Sequence, residues 1–289
     1  MRYFQLLIAV IFSLAVLSCK DEPDVPEGPQ LNEQDREAMI EVFRALEMDD
    51  NEGFDFNDPK TWPGVYTLLY EDCNEYRVVG FQYRQGMPSN HGHYDDEEVF
   101  RVKPRTAGAR ISPALGRLTE LRLIDIRVDE NDFDCSIPSE IFDCPLELLC
   151  IQGLGRNGSG HPFPDGIEKL RNTIISISFS FTKFNGEIPE AFQYFKGSKL
   201  KDLCSNYCGF TGNIPDWAFT VGFNWWINDN NLTGFDLNIF KKPYVYPIPN
   251  FSYNLMGNIE LPDWVKETET WKAIPIDYYY HRDGVWSRD

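Results

Sequence analysis

The sequence predicts an α/β solenoid: a curved parallel sheet of short strands, an irregular convex side and a helical N-terminal cap. Two observations carry this expectation. The phrase "KFNGEIPEAF", Lys183–Phe192, returns as "GFTGNIPDWAF", Gly209–Phe219, with Phe, Gly and Ile-Pro at matching offsets. Around it the chain alternates apolar and polar residues, as over Ile174–Phe179, which reads as a short strand unable to bury its apolar face alone. Stacked copies of such a strand make a parallel sheet over a continuous core.

The repeat extends in both directions. "IISISFSFTKFNGEIP" places Ile174, Ile177, Phe179, Thr182, Phe184, Gly186, Ile188 and Pro189 on one frame, and "LKDLCSNYCGFTGNIP" places Leu200, Leu203, Ser205, Cys208, Phe210, Gly212, Ile214 and Pro215 on the same one. Upstream, Leu121, Ile124 and Ile126 precede a two-residue insertion, then Asn131, Phe133, Ile137 and Pro138. "NGSGHPFP" contributes Asn157, Phe163 and Pro164. Downstream lie Trp225, Ile227, Asn230, Leu232 and Gly234, then Ile248, Leu255, Gly257 and Ile259. Counted this way, the place that Asn230 occupies recurs at 131, 157, 182, 208, 230 and 253, in steps of 26, 25, 26, 22 and 23 residues.

This frame resembles the leucine-rich repeat, whose period is about 20–29 residues and whose pattern runs L-x-x-L-x-L-x-x-N/C-x-L. The F-x-G-x-I-P tail is similar to the plant-type subclass of that family. The resemblance implies a leucine-rich-repeat solenoid in which the Asn-position residue turns inward and bonds backbone groups that would otherwise be buried unpaired, at about 1–3 kcal/mol each. Cys208 stands where the family accepts Asn or Cys, and so reads as structural. Pro after Ile gives no ladder hydrogen bond and fixes the chain as it turns back. "DREAMIEVF", Asp35–Phe43, and "WPGV", Trp62–Val65, resemble the helix and W-x-G-V segment of the plant-type N-terminal cap; "YRVVGFQY", Tyr76–Tyr83, matches its first strand, and "ISPALGRLTEL", Ile111–Leu121, its entry into the array. The helix also stands on its own pattern, with Asn32 as N-cap and Ala38, Met39, Val42, Phe43 and Leu46 on one face. The family's cap carries paired Cys; this chain has only Cys73 there.

The parts follow in order. Residues 1–18 read as a signal peptide: Arg2, then an apolar run too short and too early for a spanning helix, ending at "VLSC". That ending resembles a bacterial lipoprotein box, which implies lipidation of Cys19 and an acyl anchor in place of a transmembrane span. "KDE", Lys20–Glu22, looks like the acidic export signal of surface lipoproteins in the Bacteroidota, so an outer-membrane, surface-exposed lipoprotein is expected. Residues 19–31 form an acidic, Pro-rich tether. The cap spans 32–110 with an insertion at 84–108, the repeats 111–261, and an aromatic closing cap 262–289. Exported cysteines can oxidise, but no pairing of Cys73, Cys135, Cys144, Cys150, Cys204 and Cys208 is assigned by the sequence, and their spacing fits no zinc or redox motif.

For function, a formal net charge of −18 speaks against nucleic acid, which needs a positive surface. Residues between the inward positions of each strand point to the concave face. They include Asp125, Arg127, Ser178, Ser180, Asp202 and Cys204, and the candidate ligand-binding set Phe181, Asn206, Tyr207, Asn224, Trp226, Asn228, Asp229 and Phe251. Phe181, Tyr207, Trp226 and Phe251 are expected in similar columns; rings beside Asn and Asp supply flat apolar area and directional hydrogen bonds. "NHGHYDDEE", Asn90–Glu98, gathers His91, His93, Asp95 and Asp96 but reads as a solvated loop rather than a metal site, and "NDNN", Asn228–Asn231, as a strand end rather than a calcium loop. No nucleophile elbow, phosphate loop or dinucleotide fingerprint occurs. The expectation is a cell-surface, lipid-anchored binding module, not an enzyme and without cofactor or metal, that takes a protein or peptide on its concave face; the alternative is a glycan-binding surface lipoprotein.

Overall fold

The structure, a computed structural model, describes residues 28–48, 54–85, 101–102, 108–128, 135–155 and 158–286. The signal peptide, Cys19, most of the tether, the His91–Asp96 segment, Asn131, Phe133 and Asn157 lie outside these. Among the described residues no helix is long and apolar enough to cross a membrane.

The chain enters through a two-residue strand β1 (Gln30–Leu31) and helix α1 (Glu33–Ala45). Asn32 caps α1, its side chain accepting from the Asp35 N–H at 3.2 Å, and Ala38, Met39, Val42, Phe43 and Leu46 are buried as the pattern predicts. Phe43 meets Trp62 edge-on at 5.4 Å and Phe81 at 6.1 Å, so the helix closes the first edge of the core. Asp35, fully buried, receives both Arg77 Nε (2.9 Å) and the Val78 N–H (2.8 Å) and ties α1 to the sheet. Strands β2 (Val65–Tyr70) and β3 (Glu75–Gln85) pair antiparallel. Gly64, at φ +68°, makes the turn into β2; a Cβ there would lie 2.0 Å from the Gln82 carbonyl oxygen.

From β3 onward the sheet is parallel. β4 (Arg101–Val102) pairs with the end of β3, and β5 (Leu123–Arg127), β6 (Leu148–Gln152), β7 (Ser176–Ser178), β8 (Asp202–Cys204) and β10 (Asn224–Trp226) follow side by side in a nine-stranded sheet. The register runs Phe81, Ile124, Leu149, Ile177, Leu203, Trp225, all inward and buried. The sequence count sets the ladder place of the rung between Ile124 and Ile177 at Asn157; β6, with Leu149 and Ile151 inward, sets it at Leu154. The F-x-G-x-I segments make a second parallel ladder, β9 (Thr211–Ile214) with β11 (Asn231–Phe235). The convex side is built of 3₁₀ turns, among them Ser139–Asp143 and Glu190–Phe195, capped by Pro138 and Pro189.

Inside, the Asn-position residues form a ladder. Thr182 Oγ1 donates to the Ile151 carbonyl (2.9 Å), Cys208 Sγ to that of Phe179 (3.1 Å), Asn230 Nδ2 to that of Ser205 (2.8 Å) and Asn254 Nδ2 to that of Ile227 (3.0 Å). Asn230 Oδ1 also accepts from the Cys208 and Phe210 N–H groups, at 3.0 and 3.1 Å. The last rung is therefore registered on Asn254, not on residue 253. Met256 is buried where Leu232 is buried one rung earlier, and Leu255 is exposed.

The closing cap consists of two short helices, α2 (Asp263–Lys266) and α3 (Glu269–Lys272), and the antiparallel pair β12 (Tyr280–His281) and β13 (Gly284–Val285). Trp271, Tyr279 and Trp286 cover Phe240 and Phe251. Cys73, Cys144, Cys150, Cys204 and Cys208 are thiols, with no disulfide among the described residues.

Candidate functional site

Side chains that alternate with the buried positions share one face of the sheet, the concave one in a solenoid of this kind. Three strand columns run across it. One is Gly80, Leu123, Leu148, Ser176, Asp202, Asn224; the next is Gln82, Asp125, Cys150, Ser178, Cys204, Trp226, continued by a bridge to Asn250. The third begins Arg84, Arg127, Gln152. Beyond the strands it continues as Ser180 and Asn206, joined Oγ to Oδ1 at 2.6 Å.

A fourth column arises from backbone conformation. Phe181, Tyr207, Asp229 and Tyr253 have φ of 63°, 57°, 57° and 56°, each directly before its ladder residue. The left-handed region costs an L-residue roughly 1–2 kcal/mol. It is held here by N–H donation to the next rung, Phe181 to the Asn206 carbonyl at 3.1 Å and Asp229 to Ser252 at 3.1 Å, and at the end to the closing cap, Tyr253 to Tyr280 at 2.6 Å. The side chains are thereby turned out along the strand ends. Phe181 and Tyr207 stack, centroids 4.7 Å apart and planes within 10°.

The predicted residues divide on this geometry. Phe181, Asn206, Tyr207, Asn224, Trp226, Asn228 and Asp229 come together on the concave face. Tyr207 is 47% exposed and Trp226 37%. Trp226 belongs to the Ser178–Cys204 column rather than to that of Phe181 and Tyr207. Phe251 is not on this face: it is fully buried and packs on Phe219 at 5.9 Å and Phe235 at 5.3 Å. The shift of the last rung to Asn254 turns Phe251 inward and delivers Tyr253, 50% exposed, in its place. The signal for Tyr253 was the Asn two places before an apolar residue that can be buried, Asn254-x-Met256, matching Asn230-x-Leu232.

Polar groups between the rings pair amide with carboxylate. Asn224 Nδ2 donates to Asp202 Oδ1 at 3.0 Å, and Asn228 Nδ2 to Asp229 Oδ2 at 2.6 Å. The early rungs differ. Asp125, almost wholly buried, accepts from Arg84 (2.8 Å) and from Arg127 Nε (2.7 Å). Burial alone would raise its pKa, but the charges and hydrogen bonds of Arg127 and Arg84 outweigh it and hold the carboxyl below its ordinary value. Next to it burial, then the Asp125 charge, push the Cys150 thiol far up, and burial and Asp202 push Cys204 up to about 11, so neither is a thiolate near neutrality. Among the described residues no group of three His, Cys, Asp or Glu side chains is placed to hold a metal ion.

No protein-family model and no curated protein matches the chain. Solved structures do. A plant ice-binding protein aligns at TM-score 0.55 and 22% identity, over 79% of this chain and 66% of that one. The fold is that of the leucine-rich-repeat solenoid. This chain thus spans just under two thirds of the ice-binding protein's length. Looser likenesses are a pollen receptor kinase 3, with TM-score 0.46, 19% identity and coverage of 73% and 90%, and the LRR ectodomain of the receptor kinase SOBIR1 from Arabidopsis thaliana, with TM-score 0.38, 16% identity and coverage of 79% and 96%.

Proposed function

We propose that this chain is a lipid-anchored binding module of the outer-membrane surface, recognising a protein or peptide across its concave face. The observation that carries this reading is the set of exposed rings Tyr207, Trp226 and Tyr253, with half-buried Phe181 stacked on Tyr207, among amides and hydroxyls. Rings of this kind, held rigid by the backbone, supply contact area at low entropic cost and account for most of the affinity at protein interfaces. Phe181, Tyr207 and Tyr253 are turned out by left-handed φ directly before their ladder residues, and Trp226 by the alternation of its strand. Binding selections with the full chain test the reading: Tyr207→Ala and Trp226→Ala should each abolish capture of the enriched ligands. Unchanged capture by both would remove the ring set from the account.

A glycan is the second reading. It is favoured by the Asn224–Asp202 and Asn228–Asp229 pairs flanking Trp226, which set directional hydrogen-bonding groups beside a flat ring. A glycan array separates the two. The anchor has its own test: label from a radioactive fatty acid should be incorporated at Cys19 and vanish in Cys19→Ala.

A further inference from the structure

Charge is divided along the concave face in a way that constrains the ligand beyond its class. At the first rungs Arg84 and Arg127 lie side by side in one column, facing each other across the β3–β5 pairing. Both are anchored on one carboxylate, Asp125, so the cluster keeps a net positive charge in a chain of net charge −18. Each guanidinium has five N–H donors. Arg84 uses one on Asp125; Arg127 uses Nε on Asp125 and lies against the Cys150 thiol. Most donors therefore remain uncommitted among the described residues, and both side chains reach the surface, at 20% and 24% exposure. The late rungs carry the opposite sign. On the concave columns of β7, β8 and β10 the charged residues are Asp202 and Asp229, each paired only with a neutral amide that leaves its charge intact.

We infer that the ligand is an extended peptide lying across the strands, with an acidic side chain on Arg84 and Arg127 and an aromatic or basic residue on the Tyr207–Trp226 rings. This rests on the peptide reading above and adds polarity and spacing to it. From β5 to β8 is three strand steps and to β10 four. At about 4.8 Å per step that is roughly 14–19 Å, which an extended chain at about 3.3 Å per residue covers in about four to six residues. A guanidinium pair held by a buried carboxylate is pre-oriented, so a bound carboxylate gains charge-assisted hydrogen bonds without ordering two long side chains. Opposite charge at the far end penalises the reversed peptide.

The test is selection of displayed random peptides on the full chain. Enriched sequences should share Asp or Glu about four to six positions from Tyr, Phe, Trp, Lys or Arg. In a selected peptide, Asp→Asn or Glu→Gln should weaken binding about tenfold, and by less at high salt. The variant combining Arg84→Gln, Arg127→Gln and Asp125→Asn removes the cluster without stranding a buried charge, and should lose the acidic preference while keeping the ring preference. Enriched peptides lacking an acidic position, or an acidic preference surviving in that variant, overturn the inference and leave the peptide reading standing. Loss of all binding by the variant despite native unfolding behaviour would also overturn it, since the rings should still act. Enrichment of glycans and of no peptide overturns both.

Discussion

The early and late rungs of the concave face use their side chains for different work. On β3, β5 and β6 the face helps hold the strands together: Asp125 is buried and clamps Arg84 of one strand and Arg127 of its own. On β8 and β10 it presents rings and amides to solvent. The interior accounts for the contrast. In the late rungs Asn230 and Asn254 satisfy backbone groups from within. In β6 the corresponding place is taken by Leu154, which has no side-chain hydrogen bond to give. Where the ladder is open, ion pairs and Gln152, which donates to Ser178 at 2.7 Å, bridge the rungs from outside; in the late rungs the outer bonds are single, as from Asn224 to Asp202, and exposed rings stand beside them.

The contrast breaks first at Asp125. Asp125→Ala should cost about 3 kcal/mol by denaturant unfolding, toward the lower end for a stranded buried pair because the two guanidiniums still reach water. Asn230→Ala strips the Cys208 and Phe210 N–H groups and the Ser205 carbonyl of their side-chain partner and should cost about 2–3 kcal/mol, measured the same way. If both losses are instead small, the ladder and the clamp are not what divides the rungs.

Acid sharpens the comparison, because each end has its own window. His281 is buried between Phe251 and Trp286, with neither ring nitrogen hydrogen-bonded among the described residues. Burial lowers its pKa to about 4, below the usual 6.5. Between those values the unfolded chain binds the extra proton, so stability is full above the upper value and falls as pH drops toward the lower one. Asp125, whose pKa is lowered, contributes in full above its ordinary 3.8, and that contribution is lost progressively as pH falls below it. Melting temperature should therefore decline in two stages, and His281→Phe should remove the first only.

The smallest effect is conformational. Tyr253→Gly should be more stable than Tyr253→Ala by about 1 kcal/mol in thermal unfolding, because only glycine enters the left-handed region without strain. Equal stabilities would mean that the column is not strained.

Much of the fold was legible because it rests on spacing. Thr182, Cys208 and Asn230 sit where the frame places them, and the α1 face was readable from its period. The frame failed where two registers fit the letters equally well. "YNLMG" aligns through Leu255-x-Gly257 or through Asn254-x-Met256, and only burial of Met256 decides. That single slip put Phe251 on the face and Tyr253 off it. The β6 rung was registered three residues late, on Asn157, because Leu154, which holds its ladder place, carries no amide to mark it. Asp125 and Arg127 were legible as face residues, but their clamp depends on Arg84, far off in sequence and brought alongside by the β3–β5 register. The left-handed column has no compositional mark except its position before each ladder residue.

The proposed partner lies across the exposed rings of the late rungs. Oxidative footprinting of the full chain, with and without a peptide recovered by display, tests it most directly. Tyr207, Trp226 and Tyr253 should be protected, while Tyr246, 81% exposed and outside the concave columns, should react as before. Protection at Tyr246 with the three rings unchanged would contradict the account.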